Sequence, residues 1–410
     1  MVVNSISQTN PWKKLTTQVN STLRTLSFTD SLNGWVAGEN GVIIHTTDGG
    51  LSWELQNSTL QTFITSIFFS DHLYGWALSV KDVFPFNTII LKTNDGGVNW
   101  IAEDFQDLDV LMRTIFFFDS LNGFIGGSYI AYTSDGGNTW TEADIDSNMV
   151  SSYPVYEFNF YNQHFGYACG GRKDVAGVIW RTTNGGLNWS AQGISPDEIF
   201  DVFVLDSLNA LTLAGDPEGL FPVVNIKTTN SGLSWISENL HFFGLSFSID
   251  FRTSNEGWSA SGYKFLVTTD RGENWIEAET PEGSIIYDLQ FTDSRNGYAV
   301  GDSGVVLKLD PSLVDIKEEK GSPNDFILYQ NYPNPFNPTT KFRFQISDGG
   351  LVNLKVFDIL GNEVATLLNE YKPAGEYEIE FNAKGLSNGI YFYRIQAGNY
   401  AEIKKLVLAK

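Results

Sequence analysis

A phrase of eight residues recurs six times in this chain and narrows its fold more than any other feature. It occupies residues 46–53 (TTDGGLSW), 93–100 (TNDGGVNW), 133–140 (TSDGGNTW), 182–189 (TTNGGLNW), 228–235 (TTNSGLSW) and 268–275 (TTDRGENW). Those starting positions lie 40 to 49 residues apart. A unit of that length cannot bury its own apolar face, so its neighbours must cover it, and the period is that of a propeller array. Such a ring declares its architecture without declaring its ligand.

A second phrase sets the number of units, because it occurs seven times: residues 28–35 (FTDSLNGW), 69–76, 117–124, 160–167, 204–211 (VLDSLNAL), 251–258 and 291–298 (FTDSRNGY). Short apolar runs lie between and after the two phrases, so each unit reads as four short antiparallel strands joined by turns. Asp-Gly-Gly and Asn-Gly-Gly supply the positive φ that tight hairpins need. The Asp or Asn side chain caps its own turn, and the Trp packs into the gap between units. The box residues Asp48, Trp53, Asp95, Trp100, Asp135, Trp140, Asn184, Trp189, Asn230, Trp235, Asp270 and Trp275 are therefore expected to be structural.

The ends complement each other. The seventh unit stops at residues 305–309, where a box and trailing strand should follow, while residues 11–16 look like a trailing strand without its box. The two are expected to share one blade, which removes free sheet edges. The expected fold class is all-β, a seven-bladed β-propeller over residues 1–310 followed by a small Ig-like β-sandwich over 324–410. A charged, Pro-bracketed stretch at 311–323 reads as the linker. Alternating runs at 341–346, 352–357, 377–381, 390–395 and 402–408 predict the strands of the sandwich.

The tail carries QNYPNPFNPTT (330–340), VFDILGNEV (356–364), NGIYFYRI (388–395) and a terminal KKLVLAK. In order and spacing these phrases resemble the type A C-terminal sorting domain of the bacterial type IX secretion system. The resemblance implies that the secretion machinery engages residues 324–410, that the propeller is cargo, and that its destination is the cell surface or the medium. Such cargo should begin with a signal peptide. Residues 1–10 (MVVNSISQTN) have neither a basic nor a long apolar region, so the leader is expected to have been removed or to be missing. No run of eighteen apolar residues predicts a transmembrane helix.

Charge narrows the partners. Residues 321–410 hold nine acidic and nine basic side chains, so the net charge of −22 sits in the first 320 residues. That surface is wrong for phosphate, and nucleic acid is not an expected partner. Cys169 is the only cysteine, which excludes an intrachain disulfide and reads as a buried structural thiol.

The pattern GWxxGxxGxIxxTxDGGxxW, best seen at 34–53, is similar to the seven-bladed propellers of the photosystem II assembly and stability factor family. The box alone also resembles the bacterial neuraminidase repeat of sialidases. The first resemblance implies partner-protein binding through an arginine-rich patch. Its equivalent column here reads Arg24, Thr65, Arg113, Tyr156, Phe200, Phe247 and Tyr287, with only two arginines. The second would imply an arginine trio, for which Arg24, Arg113 and Arg172 are the candidates. Other glycosidases use a pair of carboxylates.

One residue further on, the column Thr25, Ser66, Thr114, Glu157, Asp201, Ser248 and Asp288 predicts a polar ring lining a central channel. Glu157, Asp201 and Asp288 are its candidate ligand or acid-base groups. Asp144-x-Asp146-x-Asn148 opens like a calcium loop but lacks its Gly and distal Glu. The four histidines show no zinc spacing, and no metal or cofactor is expected. Loops that differ between units are expected to carry binding, with Phe84, Phe86, Tyr153, Phe221, Phe242 and Phe243 suited to sugars or peptides. The sequence therefore reads as an exported binding or scaffold protein for an extracellular protein or glycan, catalysis being uncertain and the less favoured outcome. A sialidase-like glycoside hydrolase and a photosystem-assembly-like chaperone are the alternatives.

Overall fold

The computed structural model describes residues 10–313, without 82, 83, 85, 108, 147 and 148, and residues 327–409, without 330, 332, 347–349, 359–361, 373, 374, 398 and 399. The expected leader region and most of the expected linker lie outside the described residues. Two compact units divide the chain, Met1–Asp315 and Ile316–Lys410, and both are all-β.

Seven sheets form the first unit among the described residues, six of four strands and one of five. The first sheet shows the common plan. Its strands Leu23–Phe28, Gly34–Gly38, Ile43–Thr46 and Glu54–Gln56 pair antiparallel in chain order. The seven-fold phrase turns the first strand into the second, and the box turns the third into the fourth. Both turns lie at one end of the sheet, where Gly49 N donates to Leu32 O at 2.9 Å; the same bond joins Gly96 to Leu73 and Gly136 to Leu121.

The repeated glycine of the seven-fold phrase has a packing cause. Phe28 stands opposite Gly34, and a Cβ on Gly34 would come within 2.2 Å of the Phe28 ring. The same pairing recurs at Phe69 with Gly75, Phe117 with Gly123 and Phe160 with Gly166. In the fifth unit the smaller Val204 faces Ala210, so the ring and the glycine are replaced together. Space freed by one side chain is taken up by the other.

Apolar clusters fill the gaps between sheets. Trp35 stacks on Phe69 of the next sheet at 3.6 Å, and Trp76 on Phe117 at 3.5 Å. Tyr298 of the seventh sheet stacks on Phe28 of the first at 3.7 Å, so the last and first sheets meet as consecutive ones do. Box Trp53 lies in the same cluster as Phe28 and Tyr298. At the N-terminus, Trp12–Lys14 pairs antiparallel with Val306–Leu309, Trp12 opposite Leu309. Trp12 is 2% exposed and stacks on Phe265 at 5.2 Å.

The fourth unit departs from the four-strand plan. Asp144–Ile145 runs parallel to Asn188–Ser195 as a fifth strand, and Asn188 Nδ2 donates to Asp144 Oδ2 at 3.2 Å. The calcium-like opening is thus an edge strand; Asn148 lies outside the described residues. No group of three His, Cys, Asp or Glu suited to a metal occurs among the described residues. Cys169 is buried in an apolar cluster, where burial pushes its thiol pKa up.

The second unit has a sheet ordered Ile327–Leu328, Thr339–Ile346, Gly375–Asn382 and another ordered Glu363–Lys372, Gly350–Phe357, Gly389–Ala397, Tyr400–Leu408. Phe342, Phe344, Val356 and Tyr393 join both sheets to one apolar core. Glu363–Lys372 and Ile327–Leu328 are absent from the alternation-based expectation. Two register shifts opposite Glu363–Lys372 break its period of two, which hides the strand from a pattern of alternating side chains.

Candidate functional site

The first strands of all seven sheets line one cavity of about 530 Å³. Five of them, Leu23–Phe28, Ile64–Phe69, Met112–Phe117, Val155–Phe160 and Ile286–Phe291, carry a register shift at the same place: at Arg24, Thr65, Arg113, Tyr156 and Tyr287. A bulged residue leaves the ladder and its side chain is re-aimed. Here every bulged side chain lines the cavity, together with Phe200 and Phe247 from the other two units.

These seven positions form a two-sided collar. Tyr156 and Phe200 stack at 5.5 Å, Phe200 and Phe247 lie 5.7 Å apart, and Phe247 and Tyr287 lie 5.4 Å apart. An arginine closes each end of this aromatic arc: Arg113 lies 5.3 Å above the Tyr156 ring and Arg24 lies 3.8 Å above that of Tyr287. Only Thr65 separates the two arginine positions, with Phe63 5.9 Å from the Arg24 guanidinium. Arg113 is exposed and has no carboxylate partner among the described residues; Arg24 is 3.6 Å from Glu39, and its Nε lacks a hydrogen-bond partner.

Beneath the collar, the expected polar ring has a role that the sequence reading did not assign. All but Glu157 bond to the next sheet. Thr25 Oγ1 accepts from Ile67 N at 3.3 Å, Asp201 Oδ2 from Ile249 N at 2.7 Å, and Asp288 Oδ2 from Leu26 N at 3.0 Å. Thr114 Oγ1 donates to Glu157 Oε1 at 3.2 Å. A third layer repeats the device: Ser27 Oγ accepts from Phe69 N, Asn159 Oδ1 from Val204 N, Asp250 Oδ2 from Phe291 N and Gln290 Oε1 from Phe28 N. Apart from the Thr114–Glu157 bond, each of these satisfies a strand N–H, a group that would cost about 1–3 kcal/mol if left bare.

Four carboxylates thus sit in the channel wall, and desolvation dominates their chemistry. Burial raises Glu157 to about 7, with the Asp288 charge adding to it and the Phe158 N–H opposing it. Burial also raises Asp250 to about 7 and Asp288 to about 6 against the N–H bonds they accept, and Asp201 well above the usual carboxylate range. Both oxygens of Asp201, Asp250 and Asp288 accept backbone N–H groups. Glu157 uses Oε1 alone for its bonds among the described residues.

The other candidates scatter. Arg172, at the end of strand Gly166–Arg172, is exposed and absent from the cavity lining, so the arginine trio is not assembled. Arg252 pairs with Glu256, Arg271 with Asp206, and Arg181 Nε donates to Ser231 O. Phe84 and Phe86 are exposed and meet edge to face at 6.3 Å; Phe221 and Phe243 are also exposed. Tyr153 and Phe242 instead pack against apolar clusters. The collar aromatics were present in the column read for arginine, and their spacing was the available signal. Asp250, Asn159 and Gln290 escaped because their column holds Phe68, Phe116 and Phe203 in other units.

The boxes form a separate, uniform set of turns. Thr46 Oγ1 donates to Asp48 Oδ1 and accepts from Gly50 N, both at 2.8 Å, and Asp48 also accepts from Ser52 N. Ser52 hydroxyl and N–H bonds hold Asp48 near 2. At Asn184 and Asn230 the same Oδ1 accepts, while Nδ2 donates to Asn188 or Ser234.

Residues 4–107 match the family model described as photosynthesis system II assembly factor YCF48, and residues 330–409 match the secretion system C-terminal sorting domain. The photosystem II assembly lipoprotein Ycf48 of Nostoc sp. is 25% identical over 350 residues, covering 74% of this chain and 87% of that protein. A solved structure of YCF48 bound to D1 peptide aligns with a TM-score of 0.60 at 20% identity, covering 74% of this chain and 98% of the other. The WD40 β-propeller domain of Doa1 aligns at 0.52 and 12% identity, covering 74% and 97%. No helix among the described residues is long and apolar enough to cross a membrane. The sorting domain implies a secreted or cell-surface protein. The chain joins a Ycf48-like repeat region of propeller-like fold to a secretion system C-terminal sorting domain.

Proposed function

We propose that this is an exported binding protein: a closed seven-bladed propeller over residues 1–310, a joint over 311–323, and an Ig-like sorting domain over 324–410 that the type IX machinery engages. The ligand site is the channel mouth. The observation that carries this reading is the collar, in which bulges on five strands bring side chains of different chemistry to one opening. A purely structural column has no need of asymmetry; a specific site does.

Binding is favoured over hydrolysis by how the channel carboxylates are used. Asp201, Asp250 and Asp288 give both oxygens to backbone N–H groups, which leaves them poorly disposed to attack or protonate a glycosidic bond. A chaperone-like role is the second reading, supported by the likeness to the solved structure of YCF48 bound to D1 peptide. Both readings place a ligand on the propeller.

A blind screen of the full chain against a glycan array and a random peptide library, in parallel with the Arg24→Gln/Arg113→Gln double variant, tests the site. Ligands that bind the parent protein and are lost from a normally folded double variant support the mouth. Ligands held equally by both proteins place binding elsewhere and overturn it.

A further inference from the structure

Building on the channel mouth as the binding site, we propose that it recognises a terminal carboxylated sugar of an acidic oligosaccharide, with the carboxylate on the Arg24–Arg113 side and the sugar face on the aromatic arc. Three features of the collar and its floor select this chemistry.

The first is charge. On a chain of net charge −22, two guanidiniums are held at mouth positions with only Thr65 between them, Arg113 without a carboxylate partner among the described residues and Arg24 with Glu39 3.6 Å away. Planar guanidinium forks match a carboxylate in two-bond geometry. They lie over Tyr287 and Tyr156, contacts that orient them without using their N–H groups.

The second is the opposite wall. Tyr156, Phe200, Phe247 and Tyr287 are half-buried and spaced 5.4 to 5.7 Å apart, an apolar surface suited to the C–H face of a sugar ring. The third is the floor. Glu157 Oε2, Ser66 and the Asn159 amide line the same cavity and offer acceptors and donors to hydroxyl groups, while the Gln290 amide is committed to the Phe28 backbone. A cavity of about 530 Å³ falls in the range of small-ligand sites. A peptide C-terminus would satisfy the arginines and the aromatic arc but has no row of hydroxyls for this floor.

Calorimetric titration of the full chain distinguishes the two at low ionic strength. The probes are a galacturonic acid trimer, sialyllactose, their neutral counterparts galactotriose and lactose, and a heptapeptide ending in Phe as free acid or amide. At least one acidic sugar should bind tenfold or more tighter than its neutral counterpart. Arg113→Gln, and separately Phe200→Leu, should each weaken that binding about tenfold, while Leu51→Ala in an exposed box turn leaves it unchanged; melting curves check that each variant folds.

Equal affinity for acidic and neutral sugars overturns the proposal, as does acidic-sugar binding indifferent to Arg113. Binding of the free-acid peptide alone, lost in Arg113→Gln, overturns the sugar assignment and leaves the mouth as the site. If none of these probes binds, the sugar assignment falls, while the library screen with the double arginine variant still decides the fate of the mouth.

Discussion

The box turns and the channel mouth hang on the same seven-sheet scaffold and follow opposite rules. Thr46, Thr93, Thr133, Thr182, Thr228 and Thr268 all hold the same hydrogen bond to the fourth residue on, and Asp and Asn exchange freely beside them. At the mouth, seven equivalent positions hold two arginines, one threonine and four aromatics. Uniformity marks the place where each unit faces the same physical problem, the closing of a hairpin. Divergence marks the place where the units jointly face something that lacks their symmetry.

That contrast breaks most severely if the scaffold fails. Trp12→Ala empties a fully packed site on the strand that completes the seventh sheet and should cost about 3–5 kcal/mol. For a unit of this size that lowers the melting temperature by roughly 10 °C. A change under about 2 °C in thermal melts would show that the N-terminal strand contributes little to closure.

A buried turn hydroxyl comes next. Thr93→Val leaves the buried Gly97 N–H without its acceptor and should cost about 1–3 kcal/mol. Asp95→Asn, which copies the natural Asn184 and Asn230, should leave the melting temperature within roughly 2 °C, because the accepting oxygen remains. Equal losses in the two variants would deny the hydroxyl its part in closing the hairpin.

Smaller still is a pH effect confined to the channel. A carboxyl whose folded pKa lies above its unfolded value of about 4 stabilises the fold while protonated. That contribution is complete below about pH 4 and is lost as pH rises through the folded values, about 6 for Asp288 and about 7 for Glu157 and Asp250. Asp48 and Asp135, held near 2, work in the other direction and lose their contribution as pH falls below about 4. The melting temperature should therefore fall between pH 5 and pH 8. Glu157→Gln keeps the accepting Oε1 and should melt above the parent protein at pH 8 but level with it at pH 4. An unchanged slope in this variant would remove Glu157 from the account.

The smallest expected effect sharpens the contrast from the other side. Arg113→Gln should leave the melting temperature within about 1 °C, since the side chain is exposed and bonds to no carboxylate among the described residues. A loss of several degrees would make the collar a structural feature and return the mouth to the same class as the boxes.

Much of this was legible in the residues. The two phrases place turns and strands because a hairpin has few solutions and each recruits recognisable side chains. The phrase with Ala210 in the place of glycine differs from the others in the residues themselves, yet its cause, Val204 in the place of a Phe ring, appears only once the two residues face each other across a ladder. Strand Glu363–Lys372 stayed hidden because register shifts in its pairing break its alternation. The polar column was legible as a ring, whereas its bonds to the following sheet were not.

The sequence by itself determined the local geometry: the hairpins, the number of units, the sorting tail and the acidic surface, all of which follow from neighbours a few residues apart. Tertiary structure alone decided which side chains meet across the channel. Arg24 and Tyr287 are far apart along the chain and 3.8 Å apart in space, because the last sheet packs on the first. A one-residue bulge turns each mouth side chain out of its ladder, and no periodicity read along a single strand reveals what stands on the other side of the opening.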